Sequence, residues 1–198
     1  MTETLRDLLR EIEQFGLEND AANSARPRRM LNITHDTGEF LAVLVRATKA
    51  RRVLEIGTSN GYSTLWLAQA CEEIGGHVTT IESSEYKLAL AATNFERAGL
   101  SHSITQIRGD AGHWLEDAAD SSFDLIFLDS ERSEYATSWP NIGRILQKGG
   151  LLVVDNATSH PGEMAPLVAL VSADDEFTTC TVPVGNGEYL ATRSLGKP

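Results

Sequence analysis

The chain has 198 residues, enough for one domain with a self-sufficient core and cramped for two. Its composition, 41% hydrophobic and 23% charged, is that of a globular protein, and its formal net charge is −11. Such an acidic surface repels phosphate backbones and anionic headgroups, which argues against nucleic acid and membrane surfaces as partners.

Leu5, Leu8, Leu9 and Ile12 recur at helical spacing and predict an amphipathic helix over residues 3–15. Such a helix packs on its own domain or on a second subunit, so a homodimer is the expected assembly. The opening segment is charged and has no apolar core of the kind a secretory signal carries. No run approaches the ~20 apolar residues needed to span a bilayer, and a cytoplasmic location is expected. Residues 19–29 are polar, include Pro27, and read as loop. Residues 1–30 therefore form a helical appendage and loop on a single domain spanning 1–198. Phe40, Leu41, Leu44 and Val45 share a helical face over 37–47, with Thr34 or Asp36 as cap.

A strand–helix alternation follows. Strands are expected at 52–56, 77–81, 103–108, 123–128 and 150–154, with helices at 62–71, 85–98, 111–118 and 135–146 between them. This alternation argues for parallel strands joined by right-handed crossovers. The apolar runs of the fourth and fifth strands suit central positions covered on both faces. A helix over 164–173 precedes two β-rich runs, 176–184 and 188–193, joined by Gly185-Asn186-Gly187 as a hairpin. The sum is an α/β fold with a mostly parallel seven-stranded sheet and a C-terminal antiparallel hairpin. Cys71 and Cys180 are too far apart in sequence to suggest a disulfide framework or a metal site.

In an open parallel sheet, ligands bind beyond the carboxyl ends of the strands, where strand order reverses. Each of the five parallel strands delivers an acid there: Glu55, Glu82, Asp110, Asp129 and Asp155, the last followed by Asn156. The turn after the first strand, Gly57-Thr-Ser-Asn-Gly61, lacks the middle glycine of a pyrophosphate-binding fingerprint. A ligand with hydroxyls and an amine but no phosphate fits it better. Glu82 lies about where an acid accepts ribose hydroxyls. Asp110 either meets an adenine edge or caps the helix after it. Trp66, Trp114 and Trp139 read as packing residues.

The run Val53-Leu-Glu-Ile-Gly-Thr-Ser-Asn-Gly-Tyr-Ser63 resembles the first motif of the O-methyltransferases related to catechol and caffeoyl-CoA O-methyltransferases. The resemblance continues in Phe127-Leu-Asp-Ser-Glu-Arg-Ser-Glu-Tyr135 and Gly149-Gly-Leu-Leu-Val-Val-Asp-Asn156. It extends to Leu31-Asn-Ile-Thr34 and Val184-Gly-Asn-Gly-Glu-Tyr-Leu190, and so covers most of the chain beyond residue 30. It implies a Rossmann-like three-layer α/β/α fold and an S-adenosylmethionine-dependent O-methyltransferase acting on a small, catechol-like acceptor. It further implies that Ile33, Glu55, Gly57, Ser63, Glu82, Ala111 and Asp129 surround the cofactor. Asp129, Asp155 and Asn156 match the family's ligands for Mg²⁺ or a similar divalent cation, and three hard oxygen donors suit such an ion.

One position departs from the pattern. The family commonly places a lysine base three residues after the strand-four aspartate, and here that residue is Arg132. Arginine stays protonated and cannot serve as a base. It can stabilise a phenolate or pair with an acidic substrate, so Asp129 and Arg132 are the expected catalytic residues, with His160 as an alternative base. Three rivals follow: a non-catalytic S-adenosylmethionine-binding protein, a metal-independent methyltransferase acting on an unrelated small molecule, and a nicotinamide-dependent oxidoreductase. The glycine spacing and the lack of a hydride-site triad count against the last.

Overall fold

The computed structural model describes residues 1–196. The N-terminal helix α1 runs Glu3–Ala22 and is capped by the Thr2 hydroxyl, which accepts from Leu5 N at 3.2 Å. Leu5, Leu8, Leu9 and Ile12 are buried as their spacing requires. The helix continues seven residues past the expected end at 15. Its polar last turns are tied down by tertiary contacts instead of apolar ones. The Asp20 carboxylate accepts from the backbone amides of Met30 and Leu31 at 2.6 and 2.9 Å, and Asn19 Nδ2 donates to the Arg28 carbonyl. The strap of residues 23–34 is thereby fastened to α1 before α2, His35–Thr48, begins.

The rest alternates: β1 Arg52–Ile56, α3 Tyr62–Glu73, β2 His77–Glu82, α4 Glu85–Ala98, β3 Ile104–Arg108, α5 Ala111–Asp117, β4 Phe123–Leu128, α6 Tyr135–Ile145, β5 Leu146–Val154, α7 Pro161–Ser172, β6 Phe177–Val182 and β7 Glu188–Arg193. The sheet order is β3-β2-β1-β4-β5-β7-β6. The first five strands are parallel, and β7 runs antiparallel to both β5 and β6. Strand β5 begins four residues before the expected position. Its pairing with β4 jumps from Phe123↔Leu146 to Leu125↔Leu151, and the extra residues form a bulge at Gly149, whose φ is +78°. Helix α7 likewise starts early, at Pro161, a residue whose fixed φ suits the first helical position.

Alternation along the strands divides the core between two faces. Val53, Leu125, Phe127 and Val153 pack under α1–α4, whereas Leu54, Ile56, Ile126, Leu128, Leu152 and Val154 pack under α5–α7. This is the expected three-layer α/β/α arrangement. The three tryptophans pack as expected: Trp66 stands edge-on to His35, Trp114 lies against Phe123 and Trp139 against Phe177. Strand order reverses between β1 and β4, so the carboxyl ends of those two strands open onto the crevice where ligands collect in such sheets.

Helix α3 begins from Gly61, which is left-handed at φ +86°. A Cβ there would sit 2.5 Å from the Phe95 ring. Gly61→Ala is expected to lower the unfolding free energy by about 2–4 kcal/mol, the sum of left-handed strain and overpacking. Urea titration of the two proteins checks this, and a loss under about 1 kcal/mol would show that α4 yields to the added methyl group.

Candidate functional site

The sheet continues one residue past β1, β4 and β5. Asp129 N donates to the Ile56 carbonyl at 3.0 Å and Asp155 N to the Leu128 carbonyl at 3.1 Å, while Gly57 N donates to Ile81. These bonds align Gly57, Asp129 and Asp155 along one rim. Gly57 has φ +109°, and a Cβ on it would lie 2.0 Å from the Asp129 carbonyl oxygen. No other residue type fits where the first turn crosses the fourth strand.

Beneath the turn, Glu55 is wholly buried. Ser63 Oγ donates to one of its oxygens at 2.6 Å, and Thr64 and Thr80 donate to the other. Burial pushes its pKa up to about 7 against the pull of these hydroxyls. The structure therefore places Glu55 and Ser63 in the buried floor beneath the turn. On the turn's outer side, Glu82 is partly exposed and accepts from Ser59 N at 3.0 Å and Ser84 N at 2.9 Å. Ser83 Oγ also donates to Oε1 at 3.5 Å, and Oε2 keeps a lone pair for another donor. Asp110 accepts from His113 N at 3.0 Å and is the cap of α5, so Ala111, partly buried, opens that helix at the rim. Ile33 is buried in the strap, and the strap is pinned to the turn where Ser59 Oγ donates to the Met30 carbonyl at 2.6 Å.

The acids past β4 and β5 are held together with Asn156. Asn156 is left-handed at φ +70°, a conformation asparagine tolerates. Its Nδ2 donates to Asp155 at 2.8 Å and lies 3.5 Å from Asp129 Oδ1. Half a turn of that amide would present its oxygen instead. Burial and the neighbouring Asp155 raise the pKa of Asp129 well above the usual carboxylate range, and burial also raises that of Asp155. Two acids that oppose each other's ionisation leave room for a cation. Among the described residues, no three His, Cys, Asp or Glu side chains already form a metal cage. The donor set that fits an ion here is therefore two carboxylates and an amide.

Arg132 is also brought to this cluster, 6% exposed despite its charge. Its Nε donates to Glu163 Oε2 at 2.7 Å, and its charge opposes the upward shifts of Asp129 and Asp155. His160 lies past Asn156, with its Nδ1 2.9 Å from Ser159 Oγ. Sequence reasoning missed two residues. Glu163 holds Arg132 from the first turn of α7. Glu188, at the start of β7, is wholly buried against Asp155, and burial followed by that neighbour raises its pKa. The antiparallel direction of β7 was the available signal, because it brings the strand's first residue to the rim where the parallel strands end.

A cavity of about 340 Å³ lies elsewhere, by the N-terminal end of β4, lined by Ser121, Trp139, Arg144, Phe177 and Arg193. Its arginines are already occupied by Asp120, Glu176 and backbone carbonyls. Among the described residues, no helix is long and apolar enough to cross a membrane.

Comparison with known proteins agrees with the geometry. A family profile described as O-methyltransferase matches residues 7–194. A catechol O-methyltransferase of Mycobacterium tuberculosis is 34% identical over 145 residues, spanning 73% of this chain and 66% of that protein, just under two thirds of its length. An O-methyltransferase from Bacillus cereus, solved in complex with SAH, superposes with a TM-score of 0.81 at 27% identity, over 95% of this chain and 91% of that one. The O-methyltransferase TomG from Streptomyces achromogenes, involved in tomaymycin synthesis and solved with SAM, superposes with a TM-score of 0.77 at 26% identity, over 98% and 91%.

The buried Glu55 makes a prediction about pH. Its pKa of about 7 in the folded protein lies above the ~4.3 of an exposed glutamate. Between these values the folded state binds more protons than the unfolded one, so stability falls as pH rises through the window. Glu55→Gln lacks this penalty. Its stability relative to the unsubstituted protein is expected to improve by on the order of 3 kcal/mol between pH 4.5 and 8. Urea unfolding at several pH values measures the difference, and a constant offset would show that Glu55 ionises normally.

Proposed function

The chain belongs to the O-methyltransferase family, and from that premise we propose that it moves the methyl group of SAM to a hydroxyl of a small, catechol-like aromatic, assisted by Mg²⁺ or a similar cation. The observation that carries the cation is the pair of acids at the rim, half-buried Asp129 and buried Asp155, bridged by Asn156 beside the Gly57 turn. SAM supplies an electrophilic methyl group: the acceptor oxygen forms the new C–O bond as the C–S bond breaks, SAH departs, and the hydroxyl proton passes to solvent. A cation held by Asp129, Asp155 and Asn156 would lower the pKa of an acceptor hydroxyl and fix its position.

The other steps belong to the chain's own residues. Gly57 and Gly61 let the backbone turn approach the methionine portion of SAM, and Glu82 offers oxygens to its ribose hydroxyls. Ile33 and Ala111 border the same space. Arg132 cannot take the acceptor's proton, but its fixed charge favours the deprotonated oxygen. Glu163 limits where that charge can sit. Holding two reactants in line is most of what this transfer requires.

The acidic surface supports a small-molecule acceptor over nucleic acid or a membrane surface. The exposed side chains of Phe15 and Leu17 on α1 support a homodimer; a monomeric mass in sedimentation would remove that assembly.

Transfer of a labelled methyl group from SAM to catechols and hydroxycinnamoyl derivatives tests the reading. Activity is expected with Mg²⁺, and either EDTA or Asp155→Ala is expected to reduce it at least about 100-fold. Equal transfer in EDTA would remove the cation while keeping the enzyme. Bound SAM with no transfer to any acceptor would point to a binding protein.

A further inference from the structure

Glu188 is expensive where it stands. It is wholly buried at the first position of β7. The register pairs Val154 with Tyr189, so the next pair across the two strands is Asp155 with Glu188. Burial and the facing Asp155 make the charged form of Glu188 costly there. An apolar side chain would serve the fold better.

The surroundings fix the acid in place. Thr37 Oγ1, in the first turn of α2, donates to Glu188 Oε1 at 3.1 Å. Glu188 Oε2 is buried without a hydrogen-bond donor, and its carboxyl group lies within hydrogen-bonding reach of Asp155. The turn before it is rigid. Gly187, at φ +87°, packs so closely on Thr158 that a Cβ would come within 2.3 Å of its hydroxyl. Gly185 N donates to the Asp36 carboxylate at 3.1 Å, which ties the same turn to α2. Glu188 therefore cannot swing away from Asp155.

We propose that Glu188 is a positioning residue for the cation site, holding the Asp155 carboxylate from behind. It is assigned no ligand role, being wholly buried on β7. Groups placed behind metal ligands in this way change metal affinity by about 10–100-fold when removed. The inference rests on the cation reading of Asp129, Asp155 and Asn156. It adds a residue on the strand that runs against the others.

The test uses the full chain and Mn²⁺ alone, with free Mn²⁺ followed by electron paramagnetic resonance and metal-free stability followed by thermal melting. Glu188→Gln keeps the shape and can still hydrogen-bond to Thr37 and Asp155. It is expected to leave both Mn²⁺ binding and the metal-free melting temperature unchanged. Glu188→Leu removes both hydrogen bonds and is expected to weaken Mn²⁺ binding by at least about 10-fold while leaving the metal-free melting temperature unchanged or higher. A merely structural role would lower stability and affinity together, and that outcome overturns the proposal. Unchanged Mn²⁺ affinity in Glu188→Leu also overturns it. If the unsubstituted protein binds no Mn²⁺, the cation reading itself falls and this inference falls with it; Asp155→Asn, expected to abolish binding, separates the two cases.

Discussion

The Asp129 carbonyl lies so close to Gly57 that a single methyl group would occupy the same space. This contact depends on the reversal of strand order, which makes β1 and β4 neighbours although two other strands separate them in sequence. It welds the turn that follows β1 to the acid that follows β4. The rest of the site builds outward from that junction. Asp155 is next along the ladder, Asn156 bridges the two acids, and Ser59 in the turn holds the strap through Met30. The contact is made by backbone atoms, so the alignment of turn and acid does not rely on any flexible side chain. Proximity of this kind is what a displacement between two bound reactants needs.

The same rim works against the stability of the fold. Glu55, Asp129, Asp155 and Glu188 are four acids at or under one edge of the sheet, and each has its pKa raised, mainly by burial. Glu55 is compensated by three hydroxyl donors, the remedy a purely structural acid needs. The other three are not so well supplied. Glu188 has one hydroxyl donor, and Asp155 has the amide groups of Asn156. Local violations of packing rules collect at functional sites because function, not stability, selects them.

Much of this was legible in the sequence because it rests on period and punctuation. Strands β1 and β4 and helix α4 coincide with their expected limits, since each is bounded by a turn glycine or a strand-end acid and filled with apolar residues. Two kinds of feature were not legible. Helix α1 outruns its apolar stripe because Asn19 and Asp20 bond to a strap ten residues later, and such contacts leave no periodic trace. Asp110 could be read as a ligand contact or a cap, and only the bond from His113 N shows the cap. Glu188 escaped for a different reason. The rule that sites lie at carboxyl ends looks past the amino end of an antiparallel strand, although geometry puts the two at the same edge. Its neighbour across the sheet could have been named once the hairpin was placed.

Arg132 shows how far a single substitution reshapes the chemistry available on a shared fold. A lysine can give up its proton when burial makes its charge costly, whereas a guanidinium keeps its charge at any ordinary pH. Arg132 is buried all the same, and its charge is met by Glu163 on one side and by the field of Asp129 and Asp155 on the other. Its Nε is committed to Glu163, which leaves the outer nitrogens of the fork as the part able to meet a substrate oxygen. A residue so arranged is an electrostatic clamp: it favours an oxygen that has already lost its proton and cannot remove that proton itself. In the proposed reaction, deprotonation is then left to the lowered pKa of the acceptor hydroxyl and to solvent. An acceptor bearing its own negative charge beside the reacting hydroxyl gains from the same fork, because planar oxyanions match a guanidinium better than an ammonium.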